Sequence, residues 1–163
     1  MARSSYIRMR RLAGLLVRKI WCSVPYGGLA DPLFVVGCPR SGTSALGRSL
    51  GQHPDITYLH QPRQLWFSYY PETDVWSEKA VQRKGKLVLG TDDAVPAKSK
   101  RLRRLFDLQR IKNGSLFLVE KLPANSLRLE FISRVFPDAR FIHIVRNPLE
   151  VARSIRKLAD KGE

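Results

Sequence analysis

The sequence contains few cysteines, few acidic residues and no long hydrophobic run. Its two cysteines, Cys22 and Cys38, lie far apart and lack the spacing of metal ligands. The sequence therefore predicts neither a disulfide framework nor a zinc site, as is usual in a reducing cytosol. Clusters of Asp, Glu and His that would indicate another metal site are also missing. We expect a cytoplasmic protein without a bound metal.

Residues 8–21 form a basic, amphipathic segment that needs its own interpretation. Their longest uncharged run, residues 12–17, is far too short to cross a bilayer, and the segment lacks the pattern of a cleaved signal. Such a segment either docks on the domain, or frays from it, or makes a peripheral contact with an anionic membrane. The sequence favours docking or fraying and leaves the membrane contact open.

The shortage of acidic residues gives the chain a strong positive charge. Its 163 residues include 29 Lys and Arg against 14 Asp and Glu, for a formal net charge of +15. Such a charge indicates an anionic partner, which can be nucleic acid, a membrane surface or another polyanion. Aromatic residues are not interleaved with the basic clusters at residues 1–30 and 83–112, as a single-strand binder would need. We therefore expect no specific nucleic-acid partner.

Apolar runs alternate with helical patterns along most of the chain. A loop signal near residues 25–28 separates a basic N-terminal segment, residues 1–31, from a single domain, residues 32–163. The predicted strands lie at residues 33–37, 55–60, 116–120 and 140–145, and the predicted helices at residues 43–51, 98–112, 127–135 and from 147 onward. Strands that alternate with helices across short loops predict an α/β domain with a parallel sheet.

The stretch FVVGCPRSGTSALGRSL, residues 34–50, begins as a buried strand and ends as a helix. Between the two lies a turn in which Gly37 and Gly42 enclose four residues. A helix start offers unpaired backbone N–H groups and a partial positive charge, so we expect the turn to bind a phosphate or a similar anion. The turn differs from the P-loop of nucleotide triphosphatases, because Thr43 stands where that loop has lysine and Arg40 lies inside the turn.

Three segments together resemble the sulfotransferases that use 3′-phosphoadenosine 5′-phosphosulfate as donor. PRSGTS, residues 39–44, is similar to their 5′-phosphosulfate loop, in the arginine form of carbohydrate and protein-tyrosine sulfotransferases. FIHIVRNPLEVARSI, residues 141–155, is similar to their 3′-phosphate motif, and EKLPANSLR, residues 120–128, to the segment whose lysine contacts the sulfuryl group. The resemblance covers about residues 33–156 and implies a three-layer, P-loop-like α/β domain with a parallel β-sheet.

The resemblance also assigns roles to residues of this sequence. The donor-binding residues that it implies are Arg40, Ser41, Gly42, Thr43 and Ser44 for the 5′ end and Arg146 and Ser154 for the 3′-phosphate. Arg40 and Lys121 are implied to be catalytic, because they would neutralise charge on the leaving oxygen during in-line transfer to an acceptor hydroxyl or amine. The sulfuryl group carries less negative charge than a phosphoryl group, so a metal clamp is less necessary.

The general base is not present where the resemblance places it. In the arginine-loop relatives a glutamate follows the His-Pro at the end of the first helix, and Gln61 stands at the aligned position here. Glutamine cannot accept a proton, whereas the neighbouring His60 titrates in a suitable range. His60 is therefore the candidate catalytic base, although a shift of one residue along a strand directs a side chain to the other face of the sheet.

The chain ends at Glu163, within or just after the helix of the 3′-phosphate motif. The resemblance implies that the family's domain continues beyond this helix. We therefore expect a domain that is incomplete at its C-terminus, either as a truncated gene product or as a fragment, with weak donor binding and little activity of its own. The sequence does not indicate the acceptor.

Two other functions stay open at this point. The first is a P-loop kinase or nucleotide triphosphatase, but the loop lysine and a strand-terminal Asp for magnesium are missing, and Glu120 is only an approximate substitute. The second is a non-enzymatic domain that binds polyanions through its basic surface.

Overall fold

Four short apolar segments form the sheet of the domain, and each is followed by a turn and a helix. The computed structural model describes residues 31–160, so the predicted segment 8–21 lies outside the described residues. The strands are β1 (Leu33–Gly37), β2 (Ile56–His60), β3 (Phe117–Lys121) and β4 (Arg140–Ile144), and the helices are α1 (Thr43–Leu50), α2 (Arg63–Phe67), α3 (Pro96–Lys112), α4 (Leu129–Val135) and α5 (Pro148–Ala159). The predicted α/β alternation is confirmed.

The four strands run parallel in the order β2-β3-β1-β4. β1 lies inside the sheet, where Phe34 pairs with Glu120 of β3 and with Phe141 of β4. Because the carboxyl ends of parallel strands meet at one edge, Gly37 and Lys121 end their strands on the same side of the domain. That edge is where open α/β sheets bind their ligands.

Helices cover both faces of the sheet. Along β2, Tyr58 faces α1 so closely that a Cβ on Gly47 would lie 2.4 Å from its ring, whereas the next residue, Leu59, packs against the hydrophobic core on the other face. This core is rich in aromatic rings, and those of Phe34 and Trp66 have their centres 6.1 Å apart. With α1 on one face and α2, α3 and α4 on the other, the domain has the three predicted layers.

Arg128 ties the long connection between α2 and α3 to the domain. Its side chain is 1% exposed and donates from Nε to the carbonyl of Leu87 at 3.0 Å. Its Nη2 donates to the carbonyls of Thr73 and Lys86 at 3.1 and 2.7 Å. Burial lowers the pKa of Arg128 to about 10. Since these hydrogen bonds involve a charged donor, Arg128 is a main support of the connection.

β4 and α5 are less buried than the rest of the domain. Within residues 31–160 β4 pairs with one strand only, and Val145 and Leu149 beyond it are 80% and 69% exposed. In α5 the one buried residue is Val151. None of the described helices is both long and apolar enough to cross a membrane.

Replacing Gly37 by alanine tests how closely the end of β1 is packed. Its φ of 148° is unfavourable for a residue with a Cβ, and the added atom would lie 2.6 Å from the carbonyl oxygen of Ile144. We expect Gly37→Ala to lower the free energy of unfolding by about 2–4 kcal/mol, through backbone strain and overpacking together. Urea unfolding measures this change. Gly90→Ala is the control, because a Cβ there meets nothing within 4 Å, and equal stability of the two variants would contradict the geometry.

Candidate anion-binding site

The turn after β1 has the conformation of an anion-binding loop. Arg40 and Gly42 both adopt positive φ, at 69° and 104°. Gly42 is the N-cap of α1, and no side chain caps the helix among the described residues. The first N–H groups of a helix have no partner within the helix, and the N–H groups of Ala45 and Leu46 already donate to the carbonyl of Gly42, so those of Thr43 and Ser44 are the ones available to a ligand.

The hydroxyl residues of the turn have different positions. Ser41 is buried, and its Oγ donates to the carbonyl of Cys38 at 2.5 Å, so this side chain holds the turn together. Thr43 and Ser44 line the pocket beside the turn. The prediction grouped these three residues as donor-binding, and the structure brings the last two to the pocket and gives Ser41 a contact within the loop.

The two predicted phosphate motifs meet in space. Nε of Arg40 donates to Oγ of Ser154 at 3.1 Å, although the two residues are 114 positions apart. Nη1 of Arg146 donates to the carbonyl of Arg40 at 3.2 Å. The loop after β1 is therefore joined by direct hydrogen bonds to the middle of α5 and to Arg146, two residues before α5, and Arg40, Arg146 and Ser154 surround one space.

Local capping fixes the start of α5 beside this space. Asn147 is its N-cap, and the side-chain Oδ1 accepts a hydrogen bond from the N–H of Leu149 at 2.9 Å. Pro148 occupies the first turn, where a missing N–H costs nothing. Glu150 lies 3.8 Å from Arg146 and 3.0 Å from Arg153, so it partly balances the arginines at the helix start.

The space is a pocket of about 430 Å³ with a strongly cationic lining. Its charged lining residues are Arg40, Arg48, Lys121 and Arg146, and none of its lining residues is acidic. Arg48 was not predicted. A sequence signal for it existed, because it follows Ser44 by four residues on α1 and such residues share a helix face.

Lys121 is the buried cation of the pocket. It is 3% exposed, and no carboxylate within residues 31–160 forms an ion pair with it. Burial lowers the pKa of Lys121, the nearby Glu120 opposes this change, and Arg48 and Arg63 add to it. A desolvated ammonium group without a paired anion favours an anionic ligand.

His60 and Gln61 occupy different places at the end of β2. His60 is exposed and does not line the pocket, and its Nδ1 is 2.9 Å from the hydroxyl of Tyr58. Gln61 lines the pocket with a positive φ of 46°, and its N–H donates to the carbonyl of Lys121 at 2.8 Å. The residue that cannot accept a proton therefore lines the pocket, whereas the candidate base does not.

A second cavity, of about 570 Å³, adjoins the cationic pocket through Gln61. Its walls include Phe67 and Trp76, and the guanidinium of Arg63 lies 4.5 Å from the centre of the Trp76 ring. Arg63 also donates to Oε1 of Gln61 at 2.9 Å. Gln61 and Arg63 thus form the boundary between a cationic pocket and a more apolar one.

The fold and the pocket define an α/β domain with a cationic pocket at a P-loop-like turn, an arrangement that suits an anionic ligand. No group of three or more His, Cys, Asp or Glu side chains placed to hold a metal occurs in the described part of the chain. The chain belongs to the sulfotransferase family, because a model of that family, described as "Sulfotransferase family", matches residues 32–163.

Known proteins similar to the chain are longer than the matched region. The nodulation protein NoeE of Sinorhizobium fredii (strain NBRC 101917 / NGR234) is 27% identical, over 76% of this chain and 30% of its own length. Protein-tyrosine sulfotransferase 1 of Homo sapiens is 27% identical, over 71% of this chain and 31% of its own. The solved structure of sulfotransferase STF1 from Mycobacterium tuberculosis H37Rv has a TM-score of 0.42 and 23% identity, over 73% of this chain and 46% of that one. The chain thus spans about a third of the length of these two curated relatives.

The titration of His60 reports on the pocket cations. Burial lowers the pKa of His60, and the positive charges of Lys121 and Arg48 lower it further. We expect Lys121→Met and Arg48→Met each to raise the pKa of His60, because each removes a nearby charge. An NMR titration of the imidazole at low ionic strength measures the change. Lys112→Met, at the end of α3, is the control and should leave the pKa of His60 unchanged. A His60 pKa that also stays unchanged in Lys121→Met and Arg48→Met would contradict this arrangement.

Proposed function

We propose that this chain binds 3′-phosphoadenosine 5′-phosphosulfate and supplies the donor site for sulfuryl transfer to an acceptor hydroxyl or amine. The observation that carries the proposal is the hydrogen-bonded contact of Arg40 with Ser154 and Arg146 at the mouth of a pocket without acidic lining residues. The donor carries anionic groups at its 5′ and 3′ positions. A site that joins two phosphate-binding motifs suits such a ligand.

Each end of the donor has candidate partners in the pocket. The 5′-phosphosulfate lies against Arg40, Thr43, Ser44 and the N–H groups at the start of α1, where the helix dipole adds favourable charge. The 3′-phosphate lies between Arg146 and Ser154. Guanidinium groups suit this task, because they donate several hydrogen bonds in a fixed geometry. Residues and ligand are therefore matched in both charge and hydrogen bonding.

In the chemical step, one bond to sulfur replaces another. The acceptor oxygen or nitrogen forms a bond to sulfur while the bond from sulfur to the phosphate oxygen breaks, and the electron pair of that bond leaves with adenosine 3′,5′-bisphosphate. Negative charge grows on the leaving oxygen. Lys121, Arg40 and the N–H group of Thr43 neutralise this charge, and they do so from fixed positions.

The acceptor also gives up a proton, and His60 is the candidate to receive it. Its lowered pKa keeps the imidazole neutral at pH 7, so it can accept a proton. His60 does not line the pocket, so an acceptor must enter from the side of β2 to bring its proton within hydrogen-bond reach. The second cavity opens on the other face of the sheet, because Leu59 lines it and successive strand residues point to opposite faces.

The kinase alternative receives no support from the position of its acidic candidate. Glu120 is 0% exposed and accepts hydrogen bonds from Trp66 and Asn125 in the core, and it does not line the cationic pocket. A carboxylate that holds magnesium must reach the phosphates. Glu120 is therefore not in a position to substitute for the missing strand-terminal Asp.

Binding of adenosine 3′,5′-bisphosphate tests the donor site. We expect Arg40→Ala and Arg146→Ala each to weaken binding by about 1.5–3 kcal/mol, the value of a charged hydrogen bond. Isothermal calorimetry measures the affinity. Arg101→Ala is the control, because it removes an exposed arginine of α3 away from the pocket.

Two competing ligands decide between the proposed function and its alternatives. The bisphosphate should raise the unfolding temperature, and adding or chelating Mg²⁺ should change this little. A larger rise with Mg-ATP would favour a kinase, and a larger rise with heparin would favour a polyanion binder. Unchanged affinity in both arginine variants would exclude the donor site.

A Lys121→Met substitution separates catalysis from binding. We expect sulfuryl transfer to slow about 10²- to 10³-fold, the usual effect of losing one group that stabilises developing charge. Affinity for adenosine 3′,5′-bisphosphate, which lacks the sulfuryl group, should fall less than the rate does. Conversion of the donor to the bisphosphate, followed with a panel of hydroxyl and amine acceptors, measures the rate. Lys112→Met is the control, and equal losses of rate and affinity in Lys121→Met would argue against a catalytic role.

A further inference from the structure

Glu120 is a buried acid that the proposed chemistry does not use. It lies in the middle of the sheet, paired with Phe34 on one side and Leu59 on the other. Its side chain is 0% exposed. Successive residues of a strand point to opposite faces, so Lys121 reaches the cationic pocket while Glu120 reaches the aromatic core. An acidic residue that faces the core is therefore followed in β3 by a basic residue that faces the pocket.

Among residues 31–160, neutral groups make the hydrogen bonds to Glu120. Nε1 of Trp66 donates to Oε1 at 3.1 Å, and Nδ2 of Asn125 donates to Oε1 and Oε2 at 3.2 and 3.1 Å. The charges of Lys121 and Arg128 act on it from nearby, but neither forms an ion pair with it within residues 31–160. An ionised Glu120 would be a buried charge without a hydrogen-bonded cation, which is costly.

Charged and titratable groups lie near Glu120 on β3, on β2 and before α4. Lys121 follows it on β3, Tyr58 of β2 has its pKa raised in part by the charge of Glu120, and Arg128 precedes α4. Arg128 is engaged with backbone carbonyls of the connection between α2 and α3. Burial outweighs these groups and raises the pKa of Glu120 to about 8.

The amide of Asn125 can accommodate the protonated acid. Its Oδ1 is buried and has no donor among the described residues. If the amide turns over, Oδ1 takes the place of Nδ2, and the O–H of a protonated Glu120 can donate to it while Trp66 still donates to the other oxygen. The turn-over leaves the number of unpaired amide atoms unchanged, because Nδ2 then replaces Oδ1. Protonation therefore removes a buried charge without adding an unpaired group.

Asn125 connects this acid to the anion-binding loop. It belongs to a short 3-10 helix, Pro123–Leu127, whose first residue lines the cationic pocket. The next residue, Ser126, accepts a hydrogen bond at its Oγ from the N–H of Gly37 at 2.8 Å and donates to the carbonyl of Gly37 at 3.2 Å. The path from Glu120 through Asn125 and Ser126 thus ends where the anion-binding loop begins.

We propose that Glu120 is a positioning residue that works as an uncharged acid: through Asn125 it holds the 3-10 helix against Gly37, and it leaves the charge of Lys121 free for the ligand. The proposal rests on the proposed donor site. When Glu120 loses its proton, the hydrogen bond to Asn125 changes and a negative charge appears behind Lys121. Both changes weaken binding of an anion, so affinity for adenosine 3′,5′-bisphosphate falls as the pH rises through the range in which Glu120 ionises.

The test compares wild-type protein with Glu120→Gln and Glu120→Leu. Glutamine keeps the shape and the neutral charge of the protonated acid, whereas leucine removes both acceptors. Calorimetry with the bisphosphate at pH 6 should give equal affinity for wild type and Glu120→Gln, and about tenfold weaker binding for Glu120→Leu, the loss expected when one well-placed hydrogen-bonded group is misaligned. Between pH 6 and pH 9 the wild type should lose about tenfold more affinity than Glu120→Gln, which has no acid to ionise. An ionised Glu120 raises the pKa of Lys121, so Lys121 loses its charge at a higher pH in wild type than in Glu120→Gln, and its titration opposes the expected difference rather than producing it.

Two results would overturn the proposal. A Glu120→Gln protein that is folded but binds tenfold more weakly at pH 6 would mean that the negative charge is required. If the affinity for the bisphosphate depends on pH equally in wild type and Glu120→Gln, ionisation of Glu120 does not affect ligand binding.

Urea unfolding tests the protonation state independently of the ligand. A raised pKa in the folded state makes the free energy of unfolding fall as the pH rises between the unfolded pKa of a glutamic acid and about 8. Glu120→Gln should remove this slope, and an unchanged slope would contradict the uncharged acid. If the wild type binds no bisphosphate at any pH, the proposed function fails, whereas the unfolding slopes still decide whether Glu120 is protonated.

Discussion

The parallel pairing of β1 with both β3 and β4 is the constraint on which the candidate site depends. It aligns Gly37 with Ile144 and Phe34 with Glu120. Consequently the loop after β1, Lys121 at the end of β3 and the arginine two residues after β4 all leave the sheet at one edge. Segments more than 80 residues apart in the chain, such as Gly37 and Ser126, then come within hydrogen-bond distance. A change in strand order would separate these groups without altering a single local motif.

The convergence of cations costs stability in the absence of a ligand. Lys121 and three arginines surround one pocket without an acidic lining residue, so their positive charges repel one another. Burial adds to the cost at Lys121, whose ammonium is taken out of water without a paired carboxylate in the described part of the chain. A bound anion offsets both the repulsion among the cations and the cost of burying the Lys121 ammonium. Local arrangements that oppose stability are expected at functional sites rather than elsewhere, so the energetic cost itself supports the assignment.

The sequence predicted the strands, the helices and most of the residues that line the pocket. It did not predict the exposure of β4, the first residue of α4 or the presence of Arg48 in the pocket. Apolar runs identified the strands, because a strand covered on both faces needs little else to be recognised. The burial of β4 was less predictable, since RFIHIV has the composition of an inner strand and lies at the edge of the described sheet. The helix expected at 127–135 starts only at Leu129, because Arg128 has a φ of −136° and is committed to distant carbonyls. Arg48 was missed because its one sequence signal, the spacing of four residues from Ser44 on a helix, is common to many surface residues.

The described residues offer many groups that would stabilise the leaving group of the proposed reaction, but one candidate for accepting the proton. Groups that stabilise negative charge are abundant and fixed, with Lys121 and Arg40 at the pocket and the helix start between them. The candidate proton acceptor is one exposed histidine, His60, and the hydroxyl of Tyr58 lies 2.9 Å from its Nδ1. Nε2 of His60 can take a proton in the tautomer in which Nδ1 carries the hydrogen and donates it to the Tyr58 hydroxyl. The acceptor must therefore bind so that its nucleophilic atom faces the sulfur while its proton faces β2. That requirement places the acceptor on the face of β2 that carries Tyr58 and His60, opposite to the Leu59 side chain that lines the second cavity.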